Sequence, residues 1–189
     1  EIRLSLVGSE MCIRDRYHSF ESVADNREIR FVLDNELPET YKVCFDEAEI
    51  EKVFFNLLSN AFKFTPSEGQ VTIRVNTVTQ AECELLPHFP AQYSSILIEA
   101  GYLFIEVIDT GKGFSEQEAE KIFEPFYRSQ EDIHRQISGT GIGLSLTRSI
   151  ILQHNGCIWT ESSETEGTRF MFLLPDTEKQ EEGENESPV

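Results

Sequence analysis

Two asparagines and a lysine, Asn56, Asn60 and Lys63, follow one another at intervals of four and three residues. In a helix this spacing places all three on one narrow stripe. The apolar residues of the same stretch form a separate stripe, which comprises Ile50, Val53, Phe54, Leu57, Leu58 and Ala61. Amide oxygens suit a hard cation such as Mg²⁺, and a lysine suits a phosphate. The pattern favours a nucleotide site, although two solvated asparagines on a surface helix give the same spacing.

Two glycine-rich segments add to this picture. Asp109-Thr110-Gly111-Lys112-Gly113-Phe114 follows a predicted buried strand, and an aspartate there can accept a hydrogen bond from an exocyclic amine such as adenine N6. An ordinary turn has the same pattern. Gly139-Thr140-Gly141-Ile142-Gly143-Leu144 opens a predicted helix, where backbone N–H groups can approach an anion. It is neither a Walker A loop nor a Rossmann fingerprint, and a glycine-rich hinge is the alternative.

The elements around these motifs predict an α+β fold. Strands are expected at 28–33, 41–45, 71–78, 102–108, 157–161 and 168–174, and helices at 46–64, 115–121 and 142–154. Residues 79–101 are expected to be irregular, and residues 122–140 to form a long loop. Consecutive strands favour antiparallel pairing, so we predict a two-layer α/β sandwich with a mixed, mostly antiparallel sheet and helices on one face.

Composition bounds the rest of the chain. A formal charge of −18 over 189 residues argues against nucleic acid and anionic membranes as partners. Four scattered cysteines predict free thiols in a reducing compartment, and we expect a cytoplasmic domain, with membrane anchoring of its parent left open. Residues 1–18 lack a clear period and are expected to be an artefact or unstructured. Residues 19–175 form the expected domain, and 176–189 an acidic disordered tail or linker.

Taken in order, the motifs resemble those of the catalytic ATP-binding domain of sensor histidine kinases. This family has the Bergerat fold, which it shares with DNA gyrase and MutL. Residues 54–65 resemble its N box, 109–114 and 139–144 its glycine boxes, and 122–128 its F box. Gly167-Thr168 resembles the last motif, and the similarity covers roughly residues 28–175.

The resemblance implies a role for each matching position. Asn60, assisted by Asn56, would ligate Mg²⁺, and Lys63 would touch the phosphates of ATP. Phe64 would lie against adenine, where the family often has tyrosine, and Asp109 would bind the adenine amine. Residues 122–140 would be a lid that is mobile without nucleotide. The other implied nucleotide contacts are Gly111, Gly113, Arg128, Gly139, Thr140, Gly141, Ile142, Gly143, Leu144 and Thr168.

Two further positions bear on the reaction. The hydrolysing relatives carry a glutamate as general base where this chain has Asn56, and an amide cannot take a proton. None of the histidines, His18, His88, His134 and His154, is followed by an acidic residue as the family's phosphoacceptor is. We therefore expect a catalytic half without its dimerisation domain, from a homodimeric parent. It would pass a phosphoryl group to a histidine of that domain and then to the receiver domain of a response regulator. A nucleotide-binding module without transfer activity, or an ATPase of the same superfamily, is the alternative.

Overall fold

The structure, a computed structural model, describes residues 9–37, 41, 43, 45–129 and 139–176, apart from the side chains of 9–17 and 116. Its helices are α1 (Ser9–Arg27), α2 (Glu47–Phe64), α3 (Gln80–Cys83) and α4 (Gly143–Gln153). Its strands are β1 (Arg30–Asn35), β2 (Gln70–Thr79), β3 (Gly101–Asp109), β4 (Cys157–Ser163) and β5 (Gly167–Pro175).

The strands form one mixed sheet with the order β1-β2-β3-β5-β4. β1 and β2 pair in parallel, because α2 carries the chain back between them. The pairs β2–β3, β3–β5 and β4–β5 are antiparallel, and β4 and β5 form the predicted hairpin. The prediction of a mixed, mostly antiparallel sheet is confirmed.

The helix α2 begins and ends where its sequence predicts. Asp46 is the N-cap, and its Oδ1 accepts a hydrogen bond of 3.2 Å from the backbone N–H of Glu49. Thr65 ends the helix in an extended conformation, with its hydroxyl donating to the Ala61 carbonyl at 2.7 Å. The six apolar residues of the predicted stripe, Ile50, Val53, Phe54, Leu57, Leu58 and Ala61, are all at most 1% exposed. The neighbouring polar stripe is therefore held against a fixed core.

Helices α1, α2 and α4 cover one face of the sheet, as predicted. Alternation along β3 shows the division, because Leu103, Ile105 and Val107 pack with the helices into the main core. Tyr102 and Phe104 point to the opposite face and belong to a second cluster. The two-layer sandwich is thus confirmed.

The second cluster is covered by residues 80–100, which we call the β2–β3 connection. The sequence predicts irregular structure there, whereas the connection contains α3 and a single 3₁₀ turn at Ala91–Tyr93. Phe89 packs edge-on against Trp159 of β4 at 5.3 Å, and the Trp159 indole donates to the Pro87 carbonyl at 2.9 Å. The prolines and aromatic residues of this segment interrupt the hydrophobic periodicity from which a helix or strand is predicted. In the structure they pack the connection against the sheet.

Two local predictions of secondary structure are wrong in this part of the described chain. Tyr41, Val43 and Phe45 are not in a strand. Val43 and Phe45 are buried but pair with no strand of the sheet, and residues 42 and 44 lie outside the description. Instead of a helix over 115–121 there are two 3₁₀ turns, Glu116–Glu118 and Lys121–Phe123.

The expectation that residues 1–18 are an artefact or unstructured stays a prediction, although a helix extends into this segment. Helix α1 begins at Ser9, inside the segment expected to be unstructured, and includes His18; residues 1–8 and 177–189 lie outside the description. The packing of Phe20 and Ala24 on the main core explains why a helix forms despite a weak period.

The described thiols and helices add two observations. Cys83 and Cys157 are free and buried in the second cluster, and burial raises the pKa of their thiols to about 11 and about 12. Among the residues that the structure describes, no helix combines the length and apolar character that crossing a bilayer requires.

Candidate nucleotide-binding site

Asp109 is the last residue of β3 and is only 4% exposed. Its Oδ1 accepts a 2.8 Å hydrogen bond from the backbone N–H of Gly111, and it pairs in register with Thr168 of β5. Burial raises the pKa of the Asp109 carboxyl to about 6, although the backbone N–H groups of Gly111 and Thr168 act in the opposite direction. A buried carboxylate without a cationic partner among these contacts is costly, which is typical of a binding site.

The turn after Asp109 is fixed against the β4–β5 hairpin. Gly113 has a φ of +60°, and a Cβ there would lie 1.9 Å from the Ser163 carbonyl oxygen. The hydroxyl of Ser162 accepts a hydrogen bond from the N–H of Phe114 at 2.9 Å and donates to the Gly167 carbonyl at 3.0 Å. Ser162 thus joins the first glycine segment to the hairpin, a role that its sequence position does not signal.

Asn56 connects α2 to the start of α4. Its Nδ2 donates to the Gly143 carbonyl at 3.3 Å and lies 3.5 Å from Oγ1 of Thr147, which is fully buried. Near the start of α2 and the end of α4, the N–H of Asp46 donates to Nε2 of His154 at 3.2 Å. The helices are therefore antiparallel neighbours, and the polar stripe of α2 lies beside the second glycine segment.

The end of α2 brings Lys63 and Phe64 to the two glycine segments. The Lys63 ammonium would be 3.2 Å from a Cβ at Gly139, and the Phe64 carbonyl oxygen 2.8 Å from one at Gly111. Lys63 and Lys112 both lie over the Phe64 ring, with their ammonium groups 4.8 and 5.4 Å from its centroid. The sequence offers no signal for the contribution of Lys112.

The carbonyl groups at this end of α2 are bound by Arg27 of α1. Its guanidinium donates to the Phe62 carbonyl and, at 3.2 Å, to the Thr65 carbonyl. A cation at a helix C-terminus also interacts favourably with the helix dipole. Arg27 thereby fixes the backbone from which Lys63 and Phe64 project.

The first turn of α4 presents backbone N–H groups that no side chain caps, since Ile142 at the N-cap offers no hydrogen-bond acceptor. Such a turn suits an anion. Thr140 and Ile142 are exposed, whereas Leu144 is partly buried and packs on the main core. Leu144 is therefore placed to offer a ligand its backbone rather than its side chain.

The predicted lid is described only at its two ends. Phe126 has a φ of +65°, and its N–H donates to the Gly141 carbonyl at 2.9 Å, so that the two ends are joined. The Tyr127 hydroxyl donates to a Glu118 carboxylate oxygen at 3.0 Å. Arg128 is half-buried, but residues 130–138 lie outside the description, so the predicted mobility of the lid and the phosphate contact of Arg128 stay predictions.

The described contacts bring together most of the predicted site. Asn56 and Lys63 reach the second glycine segment, Phe64 the first, and Asp109 pairs with Thr168. Asn60 follows Asn56 by one turn of α2 and is half-buried. The roles of these residues toward a ligand stay predictions, since the geometry fixes only their proximity.

Comparison with known proteins agrees with this geometry. Residues 45–178 match the family described as "Histidine kinase-, DNA gyrase B-, and HSP90-like ATPase". The chain belongs to this ATPase family. The sensor histidine kinase WalK of Bacillus subtilis (strain 168) is 32% identical over 145 residues, which are 77% of this chain and 21% of WalK.

Solved structures of this ATPase family show the same architecture. The catalytic domain of the histidine kinase ThkA, in a nucleotide-free form, has a TM-score of 0.71 and 26% identity, over 93% of this chain and 97% of that one. ThkA in complex with the response regulator protein TrrA has a TM-score of 0.66 and 26% identity, over 92% of this chain and 42% of that one. The resemblance to the ATP-binding catalytic domain of histidine kinases is thus confirmed.

The described histidines have structural contacts within this ATP-binding domain. His18 on α1 bonds Glu21 at 2.9 Å, and His88 pairs with Glu161 at 3.0 Å. His154 donates from Nδ1 to the Ile150 carbonyl at 2.8 Å and closes α4. His134 lies outside the description.

Proposed function

We propose that this domain binds Mg-ATP in the cleft between α2, the end of β3 and the start of α4. Its parent would then transfer the γ-phosphoryl group to a histidine on a dimerisation domain. The observation that supports this most is the hydrogen bond from Asn56 to the Gly143 carbonyl, at 3.3 Å. It places a stripe of amides and an ammonium beside an uncapped helix N-terminus, and this combination suits a metal-bound polyphosphate.

The adenine end of the cleft would be formed by Asp109, Thr168 and Phe64. Ionised Asp109 would accept a hydrogen bond from the adenine amine in addition to those from the N–H groups of Gly111 and Thr168, since a carboxylate offers about four acceptor sites. The Phe64 ring would provide an apolar contact for the base. The ammonium groups of Lys63 and Lys112 lie close to this ring and would provide positive charge for the phosphates. Gly111 and Gly113 would let the nucleotide approach the backbone closely.

The donors on α2 fit a magnesium ion. The Nδ2 of Asn56 already donates to Gly143, so its Oδ1 remains as an acceptor, and Asn60 projects from the next turn of the same helix. Amide oxygens in small number suit Mg²⁺, which keeps several waters and binds phosphate oxygens as well. When bound, the ion would neutralise charge on the phosphates. Lys63 and the backbone of Gly139–Leu144 would hold the phosphate oxygens, with Arg128 contacting them from the lid.

Asn56 favours transfer over hydrolysis. Its amide is a hydrogen-bond donor to Gly143 and has no basic site with which to deprotonate water. Phosphoryl transfer depends chiefly on positioning and on charge stabilisation, and a histidine nucleophile needs little activation. The residues of this chain would therefore orient ATP and leave the nucleophile to the dimerisation domain.

The partners follow from this role. We infer that the parent is a homodimer whose dimerisation domain carries the phosphoacceptor histidine, and that a response regulator receives the phosphoryl group. The complex of the similar kinase ThkA with TrrA supports a regulator as partner. The net charge of −18 makes nucleic acid an unsuitable one.

The experiment is a labelling assay with γ-labelled ATP. The chain alone should bind ATP, stay unlabelled and release phosphate slowly. Addition of the dimerisation domain of its parent should give acid-labile, base-stable label on that domain, as expected for phosphohistidine. The transfer should be weak, because tethering normally raises the effective concentration to about millimolar.

Three outcomes separate the alternatives. Fast phosphate release by the chain alone would indicate an ATPase. ATP binding without label on the added domain would indicate a nucleotide-binding module. Stable label on this chain that survives His18→Ala would contradict the proposed location of the acceptor.

A further inference from the structure

Phe123 anchors the base of the lid in the core. The residue ends the 3₁₀ turn Lys121–Phe123, is 7% exposed and packs edge-on against Phe170 of β5 with centroids 6.3 Å apart. Three residues later, the strained backbone of Phe126 is hydrogen-bonded to Gly141. The position of Phe123 therefore determines where the ends of the lid meet.

Arg148 of α4 holds this anchor from the side. Its guanidinium carbon lies 5.6 Å from the centroid of the Phe123 ring, within the range of a cation–π interaction. The same guanidinium donates to the Tyr93 hydroxyl at 3.3 Å. One side chain thus contacts the lid base and the β2–β3 connection at once.

Tyr93 is itself fixed in place. It is 7% exposed and packs against Phe89 in the second cluster, with centroids 6.5 Å apart. Its hydroxyl donates to the Ile158 carbonyl of β4 at 3.3 Å while it accepts from Arg148, so that both roles of the hydroxyl are used. The connection on the far face of the sheet therefore orients a cation on the nucleotide side.

These contacts close a ring. Phe123 leads to Phe126, Phe126 bonds Gly141, Gly141 precedes the first turn of α4, and Arg148 returns from α4 to Phe123. Without the Arg148 contact, the lid base and the helix N-terminus would be joined through a single backbone hydrogen bond within this ring. With the Arg148 contact, two separate interactions hold the lid base near the N-terminus of α4.

We propose that Arg148, oriented by Tyr93, is a positioning residue that holds the base of the lid against α4. The role in ATP binding rests on the proposed function, because it assumes that the lid and the α4 N-terminus hold the phosphates together. Arg148 would not contact the nucleotide itself. It would act through its contact with the Phe123 ring. The β2–β3 connection thereby becomes part of the support of the nucleotide site.

The test compares three variants with the wild-type chain. Arg148→Met keeps the apolar stem and removes the cation and the donors, Arg148→Lys keeps the cation, and Tyr93→Phe removes one oxygen. Lys52→Met is the matched control, because Lys52 is an exposed cation on α2 whose ammonium bonds Glu49 at 2.7 Å. Hydrogen exchange of residues 120–127 and calorimetry with a non-hydrolysable ATP analogue are the measurements.

In the nucleotide-free chain, Arg148→Met should raise exchange of residues 120–127 while peptides from β3 remain unchanged. Its affinity for the ATP analogue should fall about fivefold, the equivalent of one cation–π contact. Arg148→Lys should restore at least half of that loss, and Tyr93→Phe should cost about twofold. Lys52→Met should change neither quantity.

Wild-type exchange and affinity in Arg148→Met would overturn the proposal. If that variant does not fold, Tyr93→Phe decides: exchange of residues 120–127 equal to wild type would overturn the link to the connection. The nucleotide-free exchange does not depend on ATP. A wild-type chain that fails to bind the analogue would therefore count against the proposed function alone.

Discussion

Replacing Asp109 by asparagine should make the chain more stable and less able to bind ATP. Burial raises the pKa of this carboxyl from 3.8 to about 6, a shift of about two units, which corresponds to about 3 kcal/mol of destabilisation when the group is ionised. Asparagine removes the charge and keeps an oxygen for the N–H of Gly111. Because its amide cannot also accept from Thr168, about 1 kcal/mol of the gain is lost. We expect the free energy of unfolding to rise by roughly 1–3 kcal/mol at pH 7.

The pH dependence follows from the raised pKa. In the wild-type chain the folded state binds the proton more tightly than the unfolded state, so this group destabilises the fold above pH 6 and ceases to do so as the pH falls below 3.8. The advantage of Asp109→Asn should therefore be full at pH 7 and vanish near pH 4. Wild-type ATP affinity should decline as the pH falls through about 6, because the protonated carboxyl no longer accepts from the adenine amine.

Urea unfolding without nucleotide, and calorimetry with ATP and GTP between pH 5 and pH 8, are the assays. Asp109→Asn should lower ATP affinity about 10- to 150-fold, the range for a hydrogen bond to a charged group. GTP, which offers a carbonyl in place of the amine, should bind the wild type much more weakly. Asp46→Asn is the matched control, since asparagine caps a helix as well as aspartate does. A variant that is no more stable at pH 7 and binds ATP like the wild type would refute the reasoning.

Three further predictions concern the phosphate end of the cleft. Asn60→Ala should weaken ATP binding far more in Mg²⁺ than in EDTA when measured by calorimetry, and an equal loss in both would assign Asn60 a structural role. Gly141→Ala should cost roughly 1–3 kcal/mol in the free energy of unfolding measured in urea, since it places a Cβ at a φ of +72° and 2.7 Å from the Phe126 carbonyl carbon. ATP analogue should slow hydrogen exchange across residues 128–141, which are polar and have few apolar groups to bury; unchanged exchange would contradict the lid assignment.

Helix α2 and its neighbours show what can be predicted from local sequence. The Asp46–Glu49 cap, the buried stripe and the stop at Thr65-Pro66 are determined within a few residues of each position. The resemblance of the ordered motifs to those of the histidine-kinase domain then predicts that they lie together. Most of the candidate site was therefore predictable, because its parts are short segments whose chemistry does not depend on distant partners.

What escaped prediction depends on contacts between distant segments. Glu106 lies in the strongly apolar strand β3 and is only 4% exposed. Its buried charge is compensated by Arg74 and Arg169 of the neighbouring strands, at 3.2 and 3.7 Å. The docking of the β2–β3 connection depends likewise on Trp159, which follows Phe89 by 70 positions. Ser162 acts only because the hairpin returns to the turn after Asp109. Neither periodicity nor spacing reports such pairings.

The two ends of the proposed cleft are stabilised by different kinds of contact. We therefore expect recognition of the base and placement of the γ-phosphate to respond differently to changes in the lid. The end proposed for adenine is fixed by strand register between Asp109 and Thr168 and by the hydrogen bonds of Ser162. The end proposed for the phosphates is held by a side-chain hydrogen bond from Asn56, a backbone hydrogen bond from Phe126 and the contact of Arg148 with the Phe123 ring. Contacts of the second kind open at a lower free-energy cost than a sheet ladder does. Discrimination between bases should therefore be insensitive to changes in the lid, whereas the placement of the γ-phosphate should respond to them.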